Sequence, residues 1–274
     1  MKIIKKHTSI PIPQVFGFEA SADQPFGYPY VFTEYLGGAT LSNGLATAIP
    51  HQYRVKVARQ LANVFAELQN LTFSHIGRLW CRENADQPAE IIAMAWHSSP
   101  GPLETSFEYF YSQRQGENRE IMSMHPNDPD WLTACWVLKT SLTHVIIDWS
   151  NAQAAPLEQL SVCPEFVTFP GLSDEENRPI LELKNLVLES LREREIDQEK
   201  RPPLDNLQAD MALGPNLTSL STYMASKSAK VVHRQYMASP RGSLWAGKRV
   251  AKLIYGRSVT WEQLREVYGT VPLF

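Results

Sequence analysis

The sequence predicts an α+β fold: a strand-bearing N-terminal part followed by a mainly helical remainder. Three observations carry that reading. Tyr28 to Leu36 is a run of aromatic and β-branched residues, the composition of a strand. Val57, Leu61, Val64, Phe65 and Leu68 recur at helical spacing, an apolar stripe within a helix expected over about 50–71. Asp128-Pro129 and Thr260-Trp-Glu-Gln263 announce two further helices. The first is an N-cap followed by proline in the first turn; the second is a capping box in which Thr caps and Gln reaches back.

Bulk properties bound the class. The chain has 274 residues, enough for one large or two small domains. It is 43% hydrophobic and 20% charged, which excludes chain-wide disorder. Twenty-six Lys and Arg against 29 Asp and Glu give a net charge of −3, so a general affinity for nucleic acid is not expected. The densest apolar stretch, Ile91 to Trp96, is far short of the ~18 residues of a membrane span. Cys81, Cys135 and Cys163 form no CxxC pair, which speaks against a zinc knuckle or a disulfide scaffold. Met1 to His7 is basic but lacks an apolar core and a small-residue cleavage site, so it does not read as a signal peptide. The sequons at Asn70 and Asn216 then carry little weight. The expectation is a reduced, cytoplasmic protein with no nucleic-acid or membrane partner. Oligomeric state is not legible.

Along the chain, a few helix-compatible residues lead to Ser9-Ile-Pro-Ile-Pro13, where two prolines force extended backbone. Ser21 to Pro25 reads as a turn, and Gly37-Gly38 ends the first strand. Residues 81–130 read as loop-rich, with an aromatic helix near Ser106 to Ser112. After the helix carrying Trp131 to Thr140, the β-branched run Thr143 to Trp149 reads as a buried strand ending in Asp148. A proline-spaced loop from Ala155 to Gly171 precedes a helix from Ile180 to about Arg194. The mixed charges from Glu189 to Arg201 read as a solvated face. The last helix ends at Gly269, a glycine of the kind that follows a helix C-cap.

Three of these segments, in this order and spacing, carry a resemblance. They are Thr8 to Phe16, Gly27-Tyr-Pro-Tyr-Val-Phe-Thr-Glu-Tyr-Leu-Gly-Gly38, and Val145-Ile-Ile-Asp-Trp-Ser150. Together they resemble the aminoglycoside phosphotransferase / choline kinase family of the protein-kinase-like fold, in particular its fungal-type group. The tail from Leu220 to Gly269 is also similar to that group's C-terminal helices. The resemblance implies a truncated kinase-like N-lobe with its hinge over residues 1–36 and a helical C-lobe over 37–274. It implies ATP and Mg²⁺ as cofactors, with adenine at the hinge backbone of Thr33, Glu34, Tyr35 and Leu36. It implies Asp148 as the magnesium ligand, since a hard cation takes carboxylate and phosphate oxygens together. The plainer readings are an edge strand for the hinge and a turn cap for Asp148.

The chain departs from that family where the chemistry is done. The Gly-rich loop and the strand lysine of such proteins lie before the counterpart of Thr8 to Pro13, and Lys2, Lys5 and Lys6 do not stand in for that lysine. The His-x-Asp loop with its downstream Asn is absent between the long helix and Asp148. His125-Pro-Asn-Asp128 has the wrong spacing, and Asp128 is explained as an N-cap. His144 lies inside the expected strand. No catalytic residue is therefore assigned. Each missing electrostatic contact costs roughly 10²–10³ in rate, so the family's ATP-dependent transfer to a small-molecule hydroxyl is expected to be impaired. Such gaps suit a truncated gene model or a decayed paralogue. The alternative is a non-catalytic, pseudokinase-like binding or interaction module. The acceptor is not legible; Asp205 and Asp210 are candidates for a cation pocket or plain surface acids.

Overall fold

The computed structural model describes residues 2–19, 21–38, 45–71, 73–80, 90–94, 101–146, 166–169, 172–199, 219–236, 238, 241–269 and 273. They form a mixed α+β structure, mostly helical, with two small antiparallel sheets. The N-terminal part holds α1 (Lys2–His7), β1 (Val15–Glu19) and β2 (Tyr30–Thr33). A short helix α2 (Leu45–Ala48) and a 3-10 turn (His51–Tyr53) lead into α3 (Arg54–Leu68), followed by β3 (Arg78–Trp80) and β4 (Glu90–Ile92). The rest is helical: α4 (Ser106–Met124), α5 (Pro129–Ile146), α6 (Asp174–Glu199), α7 (Leu220–Ala225), α8 (Lys227–Tyr236), α9 (Ser243–Tyr255) and α10 (Trp261–Tyr268). No helix among the described residues is long and apolar enough to cross a membrane.

β1 and β2 pair antiparallel, with Phe18 opposite Val31 and Glu19 opposite Tyr30, and an irregularity between Val15 and Gly17. The expected strand over 28–36 is shorter than its composition suggests. Pro29 has no N–H to give a ladder, and beyond Thr33 the pairing closes with the Glu34 N–H donating to the Gln14 carbonyl at 2.7 Å. The hairpin is followed into the helical body by Ser9–Glu67, in which the Ser9 backbone N–H and hydroxyl both donate to the Glu67 carboxylate on α3. Those two bonds hold the Glu67 carboxyl below its usual pKa.

The two helix starts read from capping signals occur as expected. The Asp128 carboxylate accepts from the N–H of Asp130 at 2.9 Å and of Trp131 at 3.4 Å. Thr260 and Gln263 complete their capping box, and Gly269 follows α10 at a φ of 69°. Two further capping boxes explain helices longer than expected. Thr105 with Glu108 starts α4, and Ser173 with Glu176 starts α6, six residues before Ile180. Pro179 lies inside α6 without ending it; only one backbone bond near the helix start is lost there. The charges beyond Glu189 are not all solvated: Arg194 donates to Asn63 on α3, and Glu195 accepts the Ser221 N–H at 3.1 Å.

The expected strand from Thr143 is a correction. Residues 143–146 continue α5 as helix. A helix already nucleated at its capped start extends at little cost, and α5 packs on α4 and α9. β-branched residues are only mildly unfavourable in helices, so packing decides. α3 turns the side carrying the expected stripe to the core, with Phe65 buried and the centre of the contact shifted onto its alanines. Ala58, Ala62, Phe65 and Ala66 are its buried residues, whereas Val57, Leu61, Val64 and Leu68 lie half-buried beside them. The alanine face lets α3 approach α6, where Leu183, Val187 and Leu191 are fully enclosed.

A second core joins Trp136, Val137 and Leu138 of α5 to Val231 of α8, Ala246, Val250 and Ala251 of α9 and Leu264 of α10. The α5–α9 contact is close because of Gly247: a Cβ built there would lie 2.8 Å from both Cα and Cβ of Ala134. Phe110, Leu142, Val167 and Val232 form a third, smaller cluster.

Candidate functional site

The residues expected at a hinge lie on the hairpin and its exit. Thr33 pairs with Val15. Glu34 is bound twice to Gln14: its N–H donates to the Gln14 carbonyl, and its carboxylate accepts the Gln14 N–H at 3.1 Å. Tyr35 and Leu36 are exposed, Tyr35 at 90%. One of the backbone donors that a purine edge needs is thus committed within the hairpin. Asp148, the expected magnesium ligand, lies outside the described residues, as do Asp205 and Asp210. Among the described residues no group of three His, Cys, Asp or Glu side chains is placed to hold a metal ion.

The other residues weighed from the sequence have structural roles. His125 stacks on Trp131 with ring centroids 4.3 Å apart and planes 4° from parallel. Asp128 caps α5. Cys135 is buried in the α5 core, and burial pushes its thiol up to about 11, which keeps it protonated and unreactive.

A different cluster is assembled by the C-terminal helices. Lys184 of α6, Lys230, His233 and Arg234 of α8, and Arg249 and Lys252 of α9 line one pocket of about 290 Å³. Its apolar walls are Phe166, Val167, Leu181 and Leu253, with Thr168 at the edge. Among the described residues no carboxylate lines it. The Arg234 guanidinium donates to Thr168 Oγ1 at 3.0 Å and lies 4.7 Å over the Trp245 ring. Arg249 lies 6.0 Å over the same ring, so one indole holds two cations. Lys184 Nζ is 3.5 Å from His233 Nδ1. Burial, then the charges of Lys230 and Arg234, push the Lys184 amine down to about 8. Burial, with Arg249 beside it, also lowers Arg234.

Sequence reasoning missed this cluster because a net charge averages over the chain. The signal was periodicity. Lys227, Lys230 and Arg234 recur at i, i+3 and i+7, and Arg249 and Lys252 at i, i+3, which puts each set on one helix face. Comparisons with family models, with curated proteins and with solved structures find no match to this chain.

Proposed function

We propose that this chain is a non-catalytic binding protein built on the aminoglycoside phosphotransferase / choline kinase pattern, retaining the pattern's order of segments without its phosphoryl transfer. The family part rests on the ordered run of Thr8 to Phe16, Tyr28 to Gly38 and Val145 to Ser150. The hairpin followed by long helices is compatible with a reduced N-lobe on a helical C-lobe. The observation that carries the loss of transfer is the continuity of α5. From its Asp128 cap the helix runs unbroken through Ile146, two residues short of Asp148. No His-x-Asp with a downstream Asn lies between α3 and that acid. Phosphoryl transfer in this fold depends on such a loop for its base and second metal ligand.

The test is ADP release by the full chain with ATP and Mg²⁺, across aminoglycosides, choline, homoserine and simple sugars as acceptors. The expected result is no release above the protein-free rate with any acceptor, from protein that melts cooperatively. Protein-dependent ADP release that Asp148→Ala abolishes would overturn the reading.

A further inference from the structure

We propose that the cationic pocket between α6, α8 and α9 binds a small phosphomonoester. Its phosphate sits among Lys184, Lys230, Arg234, Arg249 and Lys252. Its carbon skeleton lies against Phe166, Val167, Leu181 and Leu253. The inference goes beyond the family reading and stands on separate residues.

Charge is the first ground. Lys184, Lys230, Arg234, Arg249 and Lys252 converge on this one pocket from three helices. The five cations of the pocket have no carboxylate partner among the described residues. Like charges brought together in a half-buried site destabilise the free fold. A bound anion relieves that repulsion.

Geometry is the second ground. Arg234 is fixed by Thr168 on one side and Trp245 on another. One of its five N–H donors is used, which leaves the planar fork for a ligand oxygen. Guanidinium groups suit phosphate oxygens in paired hydrogen bonds. A phosphomonoester carries close to two negative charges near neutral pH and three acceptor oxygens, a better match to several converging cations than a single carboxylate. The third ground is size and lining. About 290 Å³ is at the small end of ligand pockets, and four of its walls are apolar. That suits a small ligand and favours an ester over bare phosphate.

Calorimetric titration of the full chain at constant ionic strength, with phenyl phosphate, inorganic phosphate and benzoate as probes, tests the proposal. Phenyl phosphate should bind saturably, at least about tenfold tighter than inorganic phosphate, which forfeits the apolar walls. Benzoate should be weaker than phenyl phosphate. Arg234→Ala should cost about tenfold or more in affinity. Lys230→Ala and Lys252→Ala, at exposed positions that leave the fold intact, should each cost roughly two- to fivefold. Lys56→Ala, exposed on α3 and remote from the pocket, should change nothing.

Binding should also draw a proton onto Lys184 between about pH 8 and 9, so affinity should fall above pH 8, and Lys184→Arg should flatten that fall. Among the described residues, the titratable groups lining the pocket with this amine are cationic or imidazole: Lys230, His233 and Arg234 of α8, with Arg249 and Lys252 of α9. No saturable binding of phenyl phosphate to folded protein would overturn the proposal. So would equal affinity for inorganic phosphate, or Lys230→Ala and Lys252→Ala both binding as tightly as the parent chain.

Discussion

Phe32 on β2 is 63% exposed, whereas Phe65 on α3 is 7% exposed and packs against Phe166 with ring centroids 6.0 Å apart. The hairpin and the helical body use the same kind of residue to opposite effect. Two strands form a ladder, but among the described residues no second layer covers them, and an isolated two-stranded hairpin is marginal in water. Phe16, Phe18, Tyr28, Val31 and Tyr35 are exposed with Phe32. What order the hairpin has comes from edge contacts such as Phe26 against Tyr30 at 5.9 Å and from the Ser9–Glu67 tether. In the body, the small residues enclose the large ones: Ala58, Ala62 and Ala66 bring α3 onto α6, and Gly247 brings α9 onto α5. Aromatic content makes a strand; only close approach of two surfaces makes a core.

The sharpest way to break this comparison is a pair of truncations. Leu183→Ala, in the fully enclosed α6 core, should lower the stability of the body by about 2–5 kcal/mol in urea unfolding. Phe32→Ala in the hairpin should change it by less than about 0.5 kcal/mol. Equal losses would mean that the hairpin is packed as tightly as the body. Gly247→Ala comes next. Its Cβ would meet the Ala134 backbone at 2.8 Å, and overpacking at about 1–3 kcal/mol outweighs the roughly 0.5–1 kcal/mol that alanine gains over glycine within a helix. A stabilised variant in thermal melts would show that α5 and α9 can part without cost.

Thr260→Ala removes a cap that accepts the Gln263 N–H and should cost about 1 kcal/mol by the same melts. Stability should also depend on pH. Lys184 loses its proton near 8 in the fold against an ordinary 10.5, so between those values the unfolded chain binds more protons. Stability should therefore rise with pH from about 8 to 10.5, and below 8 the penalty stays constant. Lys184→Met should remove that rise in the pH dependence of the urea midpoint.

Local chemistry was legible and long-range packing was not. Asp128-Pro129, Thr260 with Gln263 and Gly269 act through neighbours in sequence, and all three occur as read. Ser173 with Glu176 carries the same signature at the start of α6. Thr143 to Ile146 shows the limit: a β-branched run looks like a strand until the helix before it is known to be anchored on two others. On α3, Phe65 of the expected stripe is buried, but Ala58, Ala62 and Ala66, which carry little apolar signal, set how near the partner helix comes. β3 and β4 are short, and Arg78, Leu79 and Trp80 are all exposed, so no alternation marked them. The cationic pocket takes residues from three helices, and no window of sequence contains it. Of the site read from the sequence, the hinge residues fall at the end of the hairpin and Asp148 falls outside the described residues.

Hydrogen exchange of the full chain, with and without phenyl phosphate, tests most directly that ligand is held by the helical body and not by the hairpin. Amides of α8 and α9 should exchange more slowly with the ligand present, while those of β1 and β2 exchange fast in both states. Slowed exchange confined to residues 15–36, with α8 and α9 unchanged, would contradict the account.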